Sequence, residues 1–192
     1  ATGSYFRWAF AVPNGHFGDY PHFGAWNDAY YMMAHAFSGG YVAAIFAAMA
    51  AWEVLAPRRK QKLTRKARWP SNIGIVALDT VLVRLLVPTT AVGLALIAEA
   101  RGWGLFNALG LPAWVSVPLA VVALDLAIYL QHVLFHAVPA LWRLHRMHHA
   151  DLEFDVTTGA RFHPIEILLS MGIKLGVVAA LGAPAVAVLA FE

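Results

Sequence analysis

Five of the nine histidines in this 192-residue chain fall within eighteen consecutive positions. His132 and His136, in the segment HVLFH, are four residues apart, so on a helix their imidazoles project from one face, one turn apart. His145, His148 and His149 follow in HRMHH, at spacings that again bring two or three imidazoles to one helical face. Imidazoles clustered in this way predict a metal site.

The ligand type leaves the metal open, because imidazole nitrogen binds iron, zinc, copper and nickel. The chain has no cysteine, which excludes thiolate ligands, disulfides and cysteine nucleophiles. A histidine- and arginine-rich rim that binds anionic lipid headgroups is the alternative. Such a rim would use Lys and Arg as readily as His and needs no fixed spacing, so the regular spacing favours the metal site. His16, His22 and His35 lack ligand-like spacing with the five and are predicted to be interfacial or packing residues.

The composition predicts that a membrane positions these histidines. Hydrophobic residues make up 60% of the chain and charged residues only 13%, unlike most water-soluble domains. The formal net charge of +3 could suggest nucleic-acid binding, but seven of the fourteen basic residues lie in one run, from Arg58 to Arg68. A single basic loop between apolar segments indicates membrane topology, so no nucleic-acid partner is expected.

The order of apolar segments predicts an all-α integral membrane protein with about four transmembrane helices. Residues 1–28 are rich in aromatics and glycine and predict an interfacial arm. Residues 29–56 predict the first transmembrane helix, and residues 57–71 predict a basic cytoplasmic loop. The remaining residues, 72–192, predict a membrane domain that contains the histidines.

Within that domain, three further spans are predicted at about residues 72–98, 113–136 and 165–191. The last contains Gly182-Ala183-Pro184, so it is either one kinked span or a hairpin of two short helices. The positive-inside rule places the basic loop in the cytoplasm, and the histidine-rich segment then faces the cytoplasm too. Arg143, Arg146 and Arg161 around the histidines agree with that orientation. We expect the inner membrane of a bacterium.

Charged residues inside the predicted spans need partners, because each costs several kcal/mol otherwise. Asp125 precedes His132 by seven positions on the same helical face, so one role is to accept a hydrogen bond from a metal-bound imidazole. Arg84 competes with this imidazole as a partner for Asp125, because Arg84 and Asp125 both lie near the middle of antiparallel spans. The sequence therefore predicts that Arg84 and Asp125 approach each other and form a pair.

The segments HVLFH and LWRLHRMHHADLEFDVTTGARFHPIE resemble the fatty acid hydroxylase and sterol desaturase superfamily of membrane di-iron oxygenases. Motif order, spacing and the RFHPIE segment all match, and the resemblance extends from about Trp52 to Glu192. It implies O2-dependent hydroxylation or desaturation of a lipid-like substrate of the fatty acid, sterol or carotenoid class. It also implies an external electron donor and surrounding membrane lipids as partners.

Carried onto this chain, the resemblance makes His132, His136, His145, His148 and His149 ligands of a di-iron centre, at which zinc could substitute for iron. His163 of the HP motif is either a further ligand or a residue that supports the ligands. Arg161 and Glu166 are expected to form a local ion pair.

Members of this superfamily carry another HxxHH box after the fourth apolar segment, and the sequence ends at Glu192 before any such box. We expect the natural chain to continue beyond Glu192. The alternative is a family relative that lacks the full ligand set and serves as an accessory subunit of a larger membrane complex. The second HxxHH box, or its absence in the gene, discriminates between the two.

Overall fold

The structure is a computed structural model that describes residues 40–57, 63–151, 153 and 155–192, and every regular element within these ranges is a helix. The predicted interfacial arm, residues 29–39 of the predicted first span and His16, His22 and His35 lie outside the described residues. The longer helices are α1 (Gly40–Leu55), α2 (Arg65–Leu86), α3 (Ala91–Arg101), α5 (Ala113–Ala137) and α8 (Pro164–Leu181). The short ones are α4 (Leu105–Ala108), α6 (Pro139–His145), α7 (Val156–Gly159), α9 (Ala185–Phe191) and a 3-10 turn, His148–Ala150.

The predicted all-α membrane fold is confirmed. Among the described residues, three helical stretches are long and apolar enough to cross a membrane. They are Arg65–Ala108, which contains α2 to α4, then Ala113–Ala137 and Pro164–Leu181. The 16 residues of α1 form a shorter apolar helix within the predicted first span.

The region predicted as one span over residues 72–98 is divided into two helices. The first helix, α2, begins at Arg65, inside the predicted basic loop, and ends at Leu86. Pro88 follows, and its ring disfavours helical backbone at the residue before it. Thr90 then caps α3, since its side chain accepts a hydrogen bond from the amide of Gly93.

The last apolar run is divided into two helices, the 18-residue α8 and the seven-residue α9, and α9 packs against α3 and α5. Helix α8 ends at Gly182, whose positive φ of 62° suits glycine, and α9 begins after Pro184. A Cβ at Gly104 would come within 2.0 Å of the amide nitrogen of Gly182, so the loop before α4 contacts this turn backbone to backbone. Glycine at both positions permits that contact.

Small residues let the helices approach closely. Ala95, Ala120 and Ala187 are fully buried where α9 packs against α3 and α5. Helix α8 packs against α2, α3, α5 and α6. This packing brings the start of α2, the end of α5, helix α6 and the start of α8 to one end of the bundle, where the predicted site lies.

Candidate metal centre

The last turns of α5 carry the first two histidines. The rings of His132 and His136 have centroids 4.4 Å apart and meet edge to face, as expected for positions one helical turn apart. The neighbouring Gln131 is buried and donates a hydrogen bond of 2.7 Å to the Ser170 hydroxyl of α8. That contact fixes the end of α5 against α8.

Pro139 ends α5 and redirects the chain back toward it. Val138 is extended, with φ −93° and ψ 118°, because Pro139 follows it and begins α6. Helix α6 then places the ring of His145 at centroid distances of 4.7 Å from His132 and 4.8 Å from His136. One ligand atom from each of these three histidines lies within 4.8 Å of the others, so they are arranged as a metal-binding group.

The remaining two histidines lie beside this group in the 3-10 turn. The ring of His149 is 4.9 Å from that of His145 and 5.1 Å from that of His136. The ring of His148 is 5.6 Å from that of His145 and stacks on Phe162, with centroids 4.6 Å apart and an interplanar angle of 3°. The structure therefore brings all five predicted histidines together, and we call them the histidine cluster.

Glu166 supports the most buried member of the cluster. Its Oε1 atom lies 2.6 Å from Nδ1 of His145, and the two side chains are only 2% and 1% exposed. Glu166 is in the first turn of α8, where the helix dipole favours a negative charge. When His145 carries its proton on Nδ1 and donates it to this carboxylate, Nε2 keeps the lone pair that a metal needs.

A second buried carboxylate lies behind Glu166. Asp79 of α2 is 1% exposed and within electrostatic range of the Glu166 carboxylate. Among the residues that the structure describes, neither oxygen of Asp79 has a hydrogen-bond partner. Val83, one turn later on α2, packs against Phe162 and Ile167 at the start of α8. Two acidic side chains are thus buried within electrostatic range of each other, and one of them contacts the cluster.

The segment after the cluster is fixed to α2 by Arg68. One terminal nitrogen of this guanidinium lies 2.8 Å from Oδ2 of Asp151 and donates to the backbone carbonyl of Glu153, and the other contacts Oδ2 of Asp155. Trp69 Nε1 also donates to Asp155, at 3.0 Å. Because Arg68 is only 7% exposed, its ion pairs with Asp151 and Asp155 are largely shielded from water.

Neutral side chains complete this network. Asn72 donates to Asp151 and to the Thr157 hydroxyl, both at 3.0 Å, and Thr158 donates to Asp151 at 2.8 Å. Asp155 and Thr158 form a reciprocal capping box at α7. We call the whole network the clasp, and its members are Arg68, Trp69, Asn72, Asp151, Asp155, Thr157 and Thr158.

The clasp holds both aspartates in their charged form. Burial acts to raise the pKa of Asp151 and of Asp155. Hydrogen bonds from Asn72 and Thr158 to Asp151, together with the charge of Arg68, outweigh burial and lower its pKa. Hydrogen bonds from Thr157, Trp69 and Arg68 do the same for the pKa of Asp155.

The other predicted site residues have different surroundings. His163 caps α8, since its Nδ1 accepts a hydrogen bond of 3.1 Å from the amide of Ile165. Glu166 lies against His145, whereas Arg161 lies 3.4 Å from the Asn72 side chain, so their mutual ion pair stays a prediction. Arg84 and Asp125 are both exposed, and the pair between them also stays a prediction.

Sequence reasoning missed the clasp and the link between Glu166 and His145. The clasp has a signal in the segment DLEFDVTTG, where Asp155 precedes Thr158 by three positions as in a capping box. Nothing in the spacing joins Glu166 to His145, 21 positions earlier, because the contact depends on how α6 packs against α8.

The donor set fits a metal ion such as iron. Three imidazoles whose ligand atoms lie within 4.8 Å of one another suit iron or zinc, and a carboxylate on the far nitrogen of one ligand is the usual support for such a histidine. His132, His136 and His145 would hold the ion, and His148 and His149 extend the nitrogen-rich surface beside it.

A protein-family comparison agrees with the sequence resemblance. Residues 117–192 match the family model described as fatty acid hydroxylase. The matched region begins in α5, continues to Glu192 and contains the whole histidine cluster, Glu166 and the acidic half of the clasp. No solved structure matches the chain.

Proposed function

Because residues 117–192 match the fatty acid hydroxylase family, we propose that this chain is a membrane-bound, non-haem iron oxygenase. It hydroxylates or desaturates a lipid-like substrate of the fatty acid, sterol or carotenoid class. The observation that carries this proposal is the convergence of His132, His136 and His145, with Glu166 behind His145, at the end of an apolar helix.

The overall reaction uses O2 and two electrons from an external donor. In hydroxylation, one oxygen atom enters a C–H bond of the substrate, and the other leaves as water with two protons. In desaturation, two hydrogens leave the substrate, and both oxygen atoms leave as water. The di-iron centre expected from the family supplies the O2 reduction when it is bound, and zinc is a possible substitute in a purified sample.

The residues of this chain hold and orient the ligands. Glu166 fixes the proton on Nδ1 of His145 and keeps Nε2 available to the ion. The clasp fixes the segment between the HxxHH box and α8, so that His145 and Glu166 meet. The exposed apolar surfaces of α2 and α5 face hydrocarbon, which gives a lipid-like substrate lateral access.

The membrane orientation follows from the basic residues. The basic start of α2 and the histidine cluster lie at the same end of the bundle, because Arg68 contacts Asp151 and Asp155. The positive-inside rule then favours a cytoplasmic cluster, with a soluble electron carrier as partner. Further membrane subunits would be partners if the chain is an accessory subunit of a larger membrane complex.

Isotope-labelled O2 tests the reaction. The protein encoded by the complete gene and its His145→Ala variant are produced in a bacterial host, and membrane lipids are analysed by mass spectrometry. We expect labelled hydroxylated lipid, or lipid with a new double bond, with the unaltered chain and with His22→Ala, a histidine outside the cluster. His145→Ala should give neither product. Equal lipid profiles for all three chains would contradict the enzyme and favour the accessory subunit.

A further inference from the structure

A groove of about 620 Å³ lies between α1 and α2, apart from the histidine cluster. Its walls come from Val54 of α1 and from one face of α2 between Arg65 and Ala77. None of the residues lining it is a cluster histidine. This volume is within the range of small-molecule sites, and we call the feature the α2 groove.

The α2 groove has a basic end and an apolar end. Arg65 and Lys66 are at its start, whereas Ile73, Gly74 and Ala77 form its far part. The distance along the helix from Arg65 to Ala77 is roughly 18 Å at about 1.5 Å per residue. Half of a hydrocarbon core of about 30 Å is about 15 Å, so the groove is about as long as one leaflet is deep.

The basic end carries two positive charges, those of Arg65 and Lys66. One terminal nitrogen of Arg65 donates to the backbone carbonyl of Glu53 at 2.7 Å. Its Nε atom is buried and has no hydrogen-bond partner among the described residues. Lys66 is exposed beside it. A phosphate at this position would meet two positive charges where headgroups of the leaflet lie.

We infer that the α2 groove binds one acyl chain of an anionic phospholipid, with the phosphate at Arg65 and Lys66. This site is separate from the histidine cluster, because none of the cluster histidines lines it. It also contacts the clasp through Trp69, which lines the groove and donates to Asp155. A bound lipid therefore holds in place one of the groups that position the segment after the cluster.

Fluorescence quenching tests the site directly. The full chain is reconstituted in phosphatidylcholine vesicles that contain phosphatidylglycerol brominated in its acyl chains. The chain has seven tryptophans, so the contribution of Trp69 is the difference from Trp69→Phe. We expect brominated phosphatidylglycerol to quench this contribution more than brominated phosphatidylcholine does. Lys66→Gln should reduce the preference about fivefold.

A matched pair of glycine variants tests the location. A Cβ at Gly74 or at Gly172 of α8 would meet no described atom within 4 Å, so both positions accept a larger side chain. Gly74→Leu fills the groove and should abolish the preferential quenching, whereas Gly172→Leu should leave it unchanged. Phosphatidylglycerol that co-purifies with the detergent-solubilised protein should fall in Gly74→Leu alone, and this measurement does not depend on Trp69.

Three results would overturn the inference. Equal quenching by the two phospholipids would remove the headgroup preference. Stronger quenching by a brominated fatty acid would assign the groove to a carboxylate lipid instead. Absence of Trp69 quenching by any lipid would mean that another part of the chain, or a second copy, covers the groove.

Discussion

Nδ1 of His145 lies 2.6 Å from Oε1 of Glu166, and both side chains are almost completely buried. This contact joins the HxxHH box to the first turn of α8, two segments that no local pattern relates. Because a carboxylate on one ring nitrogen orients the other toward a metal, Glu166 belongs to the site as a positioning residue.

Replacement of Glu166 should weaken metal binding without removing a ligand. Glu166→Leu eliminates the acceptor for His145, and we expect metal affinity to fall about 10- to 100-fold. Glu166→Gln keeps a neutral acceptor and should have an intermediate affinity. The measurement is an anaerobic metal titration of the purified full chain. Glu99→Gln, a carboxylate that contacts the start of α9, is the control. Equal affinities for Glu166→Leu and the control would show that Glu166 does not orient a ligand.

Asp79 should lower the free energy of unfolding of the protein. Its oxygens have no hydrogen-bond partner among the described residues, and the Glu166 carboxylate is in electrostatic range. A buried charge that faces a like charge destabilises the folded state, so Asp79→Asn, which removes the charge, should raise the thermal unfolding temperature in detergent. Asp28→Asn, in the predicted interfacial arm outside the membrane domain, should change it little. A clear decrease for Asp79→Asn would indicate that the charge of Asp79 has a stabilising partner.

Substitution of Arg68 should open the clasp. Arg68→Lys keeps the charge but cannot contact Asp151 and Asp155 together through two nitrogens. Loss of a hydrogen bond to a charged group costs about 1.5–3 kcal/mol, so the unfolding temperature should fall. Arg143→Lys, at an exposed position on α6, is the matched control. Similar unfolding temperatures for both variants would contradict a stabilising clasp.

The clasp also predicts how stability depends on pH. The pKa values of Asp151 and Asp155 are lowered by folding, so their contribution is fully present above the unfolded value of about 3.9. It is lost as the pH falls through the still lower folded pKa values. The difference in unfolding temperature between the native chain and Asp155→Asn should therefore be constant from about pH 8 to pH 5 and shrink below about pH 4. Shrinkage already near pH 6 would contradict this assignment.

The helical membrane fold and the convergence of the five histidines could be predicted because their signals are local. Apolar length predicts spans, and the spacing of His132 and His136 places both rings on one face. The break at Pro88 was missed because the apolar composition continues through it, although the proline changes the backbone.

Contacts over long sequence separations could not be predicted in the same way. Arg68 was assigned to a basic loop, whereas α2 begins earlier and buries this residue against Asp151 and Asp155. The partner of Glu166 depends on how α6 packs against α8, and the nearby Arg161 was the more obvious choice from sequence. Neither contact follows from helical periodicity.

Iron binding by the full chain is the decisive test of the histidine cluster as a metal centre. The protein is purified in detergent, loaded with ferrous iron without oxygen, desalted and examined by metal analysis and X-ray absorption at the iron edge. We expect the native chain to retain iron with nitrogen ligands and to lose it when His132, His136 and His145 are all replaced by alanine. Equal iron retention by both proteins, or none by the native chain, would contradict the histidine cluster as a metal centre.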